Sequence, residues 1–388
     1  MTSACARFAM VAACVIGLAG CQTVGETYDR WFGSRPTKKP AELVPIRPVA
    51  TAKILWRGNV GDAGKNVFFP TVSGNVVYAA SARGQVAGFD SASGSQVTRF
   101  DAGQQLSAGV GSDRTIVLVG TSGGQILAFG RDGKPLWKAQ LSGEVLAPPV
   151  AEEGTVVART SDGGLFGINA ADGKRSWVYR RTTPALSVRA SAGAVINRGA
   201  VFAGLAGGRL VALALNNGKV GWEGIVALPR GTTELERVAD VTSLPVADGR
   251  QACAVAFQGR VACFDEARGT TIWARDISSF AGMNADVRYL YITDDKDAVI
   301  ALDKTSGASI WKQDKLSGRG VTGPLALGRY VVVGDFEGYV HVLSADDGSF
   351  AARIATDGSA IGAPPVALAS GSFVVQTRSG GVFAISVQ

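Results

Sequence analysis

The chain has 388 residues, of which 51 are Gly; charged residues make up 18% and the formal net charge is +7. Few charges, abundant Gly and many β-branched residues favour short strands and tight turns over helices, and no stretch carries a sustained helical period. The basic residues (Arg99, Arg131, Lys174, Arg209, Arg260, Lys304) are dispersed and not interleaved with aromatics, which argues against a nucleic-acid stripe and leaves only a modest attraction to anionic surfaces.

Residues 1–20 read as a signal peptide. Arg7 is the only charge near the start, and the apolar run Phe8 to Ala19 is too short to span a bilayer. The run ends in Leu18-Ala19-Gly20-Cys21, which resembles a bacterial lipobox. That resemblance implies cleavage before Cys21 and a lipidated, palmitate-bearing Cys21; the other reading is an ordinary secretory signal with a chance Cys. Gln22 stands where an Asp in lipoproteins of this kind commonly retains them in the inner membrane, so it favours the outer membrane. Residues 21–50, with Pro36, Pro40, Pro45 and Pro48, are expected to form an extended linker holding the body away from the lipid.

From residue 51 a unit recurs about every 40 residues, a period that signals a propeller or array. Its first element is a turn Gly followed by a strand: Gly84, Gly124, Gly163, Gly208, Gly259, Asp297 in place of Gly, Gly338 and Gly380. Four residues on stands a residue that is small in seven of eight copies (Gly88, Ala128, Gly167, Ala212, Cys263, Ala301, Val342, Ala384). A large apolar residue follows it, as expected of a strand buried on both faces and pressed against a neighbour. A second turn Gly (Gly94, Gly133, Gly173, Gly218, Gly269, Gly307, Gly348) comes next. Four residues beyond it lies Trp137, Trp177, Trp222, Trp273 or Trp311, with Thr98 and Ala352 in the first and seventh copies. A Trp at one place in five units reads as a packing device between neighbouring units.

Each unit is thus an antiparallel meander with two apolar faces, stable only between two others. The last copy ends at Gln388 without an outermost strand, and Lys53–Arg57 supplies one, with Trp56 in the Trp place. The expected fold is all-β: an eight-bladed β-propeller of four-stranded antiparallel blades over residues 51–388, closed by the N- and C-terminal strands. An open solenoid would leave two uncapped apolar ends.

Little in the chain reads as catalytic. His341 is the only His and lies on a strand between Val340 and Val342, without a nucleophile elbow nearby. Gly173-Lys174 lacks the remainder of a P-loop. Asp294-Asp295-Lys296-Asp297 lacks the Gly and distal Glu of a calcium loop and reads as a hairpin tip. Cys253 and Cys263 flank a turn on neighbouring strands; a cross-strand disulfide and two small free-thiol core residues are both open. No metal or cofactor is expected.

The Ala-Phe-Asp and Gly-x-x-x-Trp rhythm resembles the pyrroloquinoline-quinone-type propeller repeats, a group that includes quinoprotein dehydrogenases. Those enzymes carry a vicinal Cys pair and Glu, Asn and Asp calcium ligands; this chain has no Cys-Cys dipeptide and no evident ligand set. A closer resemblance is to the BamB family of lipoproteins of the outer-membrane β-barrel assembly (Bam) machinery. It rests on Thr183-Pro-Ala-Leu-Ser-Val-Arg189, Gly231-Thr-Thr-Glu-Leu-Glu-Arg-Val-Ala-Asp-Val241 and Val333-Gly-Asp-Phe-Glu-Gly-Tyr-Val-His341. The first two stretches fall where the repeat spacing lengthens, so no blade requires them, and loops of that kind tend to carry function.

This resemblance implies a non-catalytic scaffold anchored to the outer membrane and facing the periplasm. It would bind BamA through the periplasmic POTRA domains and assist assembly and insertion of β-barrel proteins. The contacts it implies are Leu186, Val188, Arg189 and Asp240. Some relatives carry a second acid where this chain has Thr242. An internal Arg189–Asp240 pair that fixes the two loops is the other reading of those charges. The competing functions are a periplasmic quinoprotein-type enzyme and a carbohydrate-binding propeller, the latter requiring exposed aromatics at a rim. An exposed outer strand would also permit pairing with unfolded outer-membrane proteins.

Overall fold

The computed structural model describes residues 40–388 apart from 183, 369 and 370, so the signal segment and Cys21 lie outside the described residues. The body from Ala41 onward contains eight four-stranded antiparallel sheets arranged as an eight-bladed propeller, as the repeat predicts. Blade 1 is Thr71–Ser73, Val76–Ala80, Gln85–Asp90 and Gln96–Asp101, paired in that order. Blades 2 to 7 follow over 108–140, 150–179, 194–225, 246–275, 282–313 and 325–355. Blade 8 joins Val366–Ala367, Ser372–Gln376 and Gly381–Val387 to the N-terminal strand Ala52–Asn59. The closing register sets Ala52 opposite Val387 and Trp56 opposite Ala384.

The middle strands explain why the units associate. Val76–Ala80 and Ile116–Gly120 are buried at every residue, so both faces of these strands shed water. Outer strands such as Gln96–Asp101 and Pro135–Gln140 alternate instead, with one face wet.

The Trp place and the small place are direct cross-strand partners in every blade: Thr98 with Gly88, Trp137 with Ala128, Trp177 with Gly167, Trp222 with Ala212, Trp273 with Cys263, Trp311 with Ala301 and Trp56 with Ala384. The small residue makes room for the indole within its own sheet. Blade 7 reverses the sizes, setting Ala352 against Val342, which fits the same space.

Each Trp then reaches into the next blade. Trp56, Trp137, Trp177, Trp222, Trp273 and Trp311 donate their indole N–H groups to Ser91, Ala170, Leu215, Glu266, Lys304 and Ala345 carbonyls at 2.8–3.0 Å. All six acceptors lie at the third-to-fourth-strand turn of the following blade. The second turn Gly sits on the same ring: a Cβ on Gly94 would lie 2.5 Å from Trp56, and its φ of +73° already favours Gly. Blade 7 lacks the Trp because blade 8 has no such turn to receive it; there the chain is broken between its two ends.

Cys253 and Cys263 are opposite one another in the middle strands of blade 5 and form a disulfide, both almost wholly buried. In an antiparallel meander, second-to-third-strand turns and blade-to-blade connections lie at the same end. Both stretches of lengthened spacing are such connections, so they share one face of the ring, here termed the loop face.

Residues 41–50 are extended and lie against the body. Ala41 N–H bonds to Ser317 O at 2.9 Å, and Val49 and Ala50 N–H groups bond to Ala351 O at 2.9 and 3.1 Å. Prolines dictate extension, but an extended chain with free N–H groups can still pair with a neighbouring strand.

Candidate functional site on the loop face

The site is made by the connections 180–193, between blades 3 and 4, and 226–245, between blades 4 and 5. Neither forms a regular strand or helix, so their shape depends on side-chain bonds. Asp240 supplies the main one. It is 4% exposed and accepts Val188 N–H at 2.7 Å on one oxygen and Gly207 N–H at 2.8 Å on the other. Its own carbonyl receives Phe257 N–H at 2.8 Å. A carboxylate committed to two backbone donors in a buried place holds loops together. Asp240 is therefore a positioning residue, with its carboxylate committed to the loops.

The charged partner of Arg189 is not Asp240. Arg189 binds Glu144, from the connection between blades 2 and 3, through Nη2 at 2.8 Å and Nε at 3.2 Å. The Arg189 side chain stays 52% exposed, and the fork geometry leaves further donors for a second acceptor. Beneath the loop, Arg159 donates Nη1–H to Ala192 O at 2.9 Å. Burial pulls the Arg159 guanidinium down to about 10, against the opposing effect of Asp240, so it stays charged at neutral pH.

The expected apolar contacts lie on this surface. Leu186 is 43% exposed and Val188 is half-buried beside it. Leu228, Leu235, Leu244 and Phe280, all from blade-to-blade connections, are exposed as well. Thr242 is buried with its hydroxyl directed to Phe280 O at 3.3 Å, so it is a structural residue here. Thr183 lies outside the described residues. In the second loop, Glu236 accepts Thr232 and Thr233 N–H at 2.9 and 3.2 Å, which fixes the turn that displays Leu235.

The central channel of about 840 Å³ opens on the same face, with Lys65, Arg189, Leu244, Phe257, Phe280 and Asp294 among its lining residues. The acidic run beside it is a hairpin tip. Asp294 accepts Lys296 and Ala298 N–H, Asp295 accepts Phe280 N–H, and Asp297 accepts Gly320 and Val321 N–H. Among the described residues no three His, Cys, Asp or Glu side chains converge as a metal site.

Glu144 and Arg159 are the residues that sequence reasoning missed. The repeat holds a signal for Arg159. The position four before the first motif residue reads Ala80, Gly120, Arg159, Gly204, Val255, Thr293, Gly334 and Gln376. Two long polar side chains interrupt an otherwise small or apolar column, and both reach out of their own blade: Gln376 donates to Ala80 O at 2.8 Å across the ring closure. Glu144 carries no comparable signal, because nothing in the chain couples it to a residue 45 positions away.

Residues 82–313 and 296–388 match the family model described as outer membrane protein assembly factor BamB. Curated proteins of that name are similar to the chain over nearly all of both lengths. The one from Burkholderia pseudomallei (strain K96243) is 41% identical, covering 97% of each chain. The one from Bordetella pertussis (strain Tohama I) is 42% identical, covering 96% of this chain and 95% of the relative. Among solved structures, BamB from Moraxella catarrhalis superposes with a TM-score of 0.80 at 25% identity, over 87% of this chain and all of that one. Quinohemoprotein alcohol dehydrogenase from Comamonas testosteroni has a TM-score of 0.70 at 13% identity, over 86% of this chain and 76% of that one, a likeness of fold alone.

Proposed function

The chain belongs to the outer membrane protein assembly factor BamB family, and from that premise we propose that it is a non-catalytic scaffold of the outer-membrane protein assembly machinery whose loop face binds the periplasmic POTRA region of BamA. The single observation that carries this reading is the Asp240 latch. It joins two connections that the propeller does not need into one surface, with Leu186 and Arg189 displayed on it. A surface held in shape before binding loses less freedom on association. Leu186 and Val188 supply a small apolar centre, and Arg189 supplies a charged donor at its edge for a carboxylate or carbonyl. In this reading Cys21 carries the lipid, the body faces the periplasm, and assistance to barrel insertion comes from holding BamA in place.

Capture of BamA's purified periplasmic region by the wild-type protein and by Leu186→Asp tests the proposal. Leu186 is 43% exposed on a connection that no blade requires, so the substitution leaves the ring intact while placing a charge in the apolar centre. Capture by the wild type and loss by the variant are expected. Equal capture by both would remove Leu186 from the interface, and absence of capture by the wild type would overturn the assignment.

A further inference from the structure

The third sequence stretch, 333–341, contributes nothing to the two long loops. It lies in blade 7, where Asp335, His341 and Arg319 are all at most 3% exposed and form one polar cluster. Arg319 donates Nε–H to Asp335 at 2.8 Å and also pairs with Glu337. His341 Nε2 lies 2.9 Å from Asp335, and Arg353 Nε lies 3.2 Å from His341 Nδ1. A guanidinium can only donate, so Nδ1 accepts and the proton sits on Nε2, directed at Asp335. Asp335's second oxygen accepts Glu337 and Tyr339 N–H, both at 2.9 Å.

Buried charges of this kind are costly unless something requires them. Each arginine directs its Nη1 at the same segment. Arg319 Nη1 donates to Ala41 O and Arg353 Nη1 donates to Val44 O, each at 3.0 Å. The outer strand of blade 7, Phe350–Ala355, is shaped to match. Ala351 is buried at the place where outer strands of other blades expose Val97, Leu136, Ile272 or Ile310, because Val49 and Ala50 bond to its carbonyl and lie over it. Its small side chain admits the strap's backbone.

We infer that the outer flank of blade 7 is a docking site for the chain's own N-terminal strap, residues 41–50, and that the Arg319–Asp335–His341–Arg353 cluster holds the strap so that the lipid tether leaves from the loop face. The strap starts beside Ser317, in the connection between blades 6 and 7 on that face, and passes Arg353 and Ala351 before entering blade 8. Ala41 lies 20 positions beyond Cys21, whereas Ala52, where the closing strand begins, lies 31 beyond it. At full extension the docked strap limits the tether to about 70 Å, against about 105 Å if it were free. The tether part of this inference rests on the lipid reading of Cys21; the docking does not.

The test uses the full-length lipidated protein on phosphatidylethanolamine–phosphatidylglycerol vesicles, beside Ala41→Pro/Val49→Pro. That pair removes strap donors and alters no blade 7 side chain. Amide hydrogen exchange at Ala41, Val49 and Ala50 is expected to be at least ~100-fold slower than in unstructured chain, with the slowing at Ala50 lost in the variant. Energy transfer to a headgroup acceptor is expected to be greater from a donor at Gln105→Cys, on the loop face, than at Ala92→Cys, on the opposite face. The variant should lose most of that difference. Unprotected strap amides in the wild type would overturn the docking, and equal transfer from both labels would overturn the exit face. Failure to bind vesicles at all would overturn the lipid reading and the tether claim with it, while the exchange result still decides the docking.

Discussion

Asp240 accepts the Val188 amide at 2.7 Å across 52 residues of sequence, and this bond makes one surface out of two loops. The same carboxylate takes the Gly207 amide. Asp240→Ala would leave two inward-facing N–H groups without an acceptor, at a cost of about 2 kcal/mol. We expect a lower unfolding midpoint and faster amide exchange confined to the two loops, with blade 1 unaffected. Asp240→Asn, which keeps one carbonyl acceptor, should fall between. Exchange that rises equally in blade 1 would show that Asp240 supports the ring and not the loops.

Ring closure depends on Trp56. It is 7% exposed, lies against Ala384 in its own sheet and bonds to Ser91 of blade 1. Trp56→Ala removes that packing and the inter-blade bond at the one place where the chain's two ends meet. Equilibrium denaturation should show a loss of about 3–5 kcal/mol. A loss below about 1 kcal/mol would mean that the closing strand is held mainly by its backbone ladder.

The blade 7 cluster makes stability depend on pH in a window where little else titrates. Burial lowers the His341 pKa below its ordinary 6.5, despite Asp335, with Arg353 and Arg319 adding to the effect. Burial raises Asp335, but bonds from His341, Tyr339 and Arg319 prevail and hold it below 3.8. Glu337 and Tyr339 are the other titratable groups facing the cluster. A folded-state His value below the unfolded one means that the unfolded chain takes up the proton first as pH falls through 6.5. The contribution of neutral His341 is therefore present above 6.5 and lost progressively below it, and that of Asp335 is lost below 3.8. Because the chain has one His, the fall in denaturation midpoint between pH 7 and 5 should be largely abolished in His341→Gln. An undiminished fall in that variant would contradict the assignment.

The ring was legible because its determinants repeat. Eight aligned copies expose the Trp and small columns, and the structure makes those columns cross-strand partners. Trp56 was found as a missing strand for the same reason. The latch was not legible in that way: Asp240, Val188 and Glu144 each occur once, and their bonds join residues 45 to 52 positions apart. The docking of the strap was not legible either, because Pro45 and Pro48 announce an extended chain without saying what it lies against.

The central claim is that Arg189 meets BamA's periplasmic region from a preformed loop surface. Its most direct measure is the affinity of that region for the wild type, Arg189→Glu and the swap Glu144→Arg/Arg189→Glu. The account predicts at least ~10-fold weaker binding by Arg189→Glu, matching the loss of a charge-assisted contact. It also predicts that the swap, which restores the local ion pair and wild-type stability, does not restore binding. Undiminished binding by Arg189→Glu, or full recovery in the swap, would contradict it.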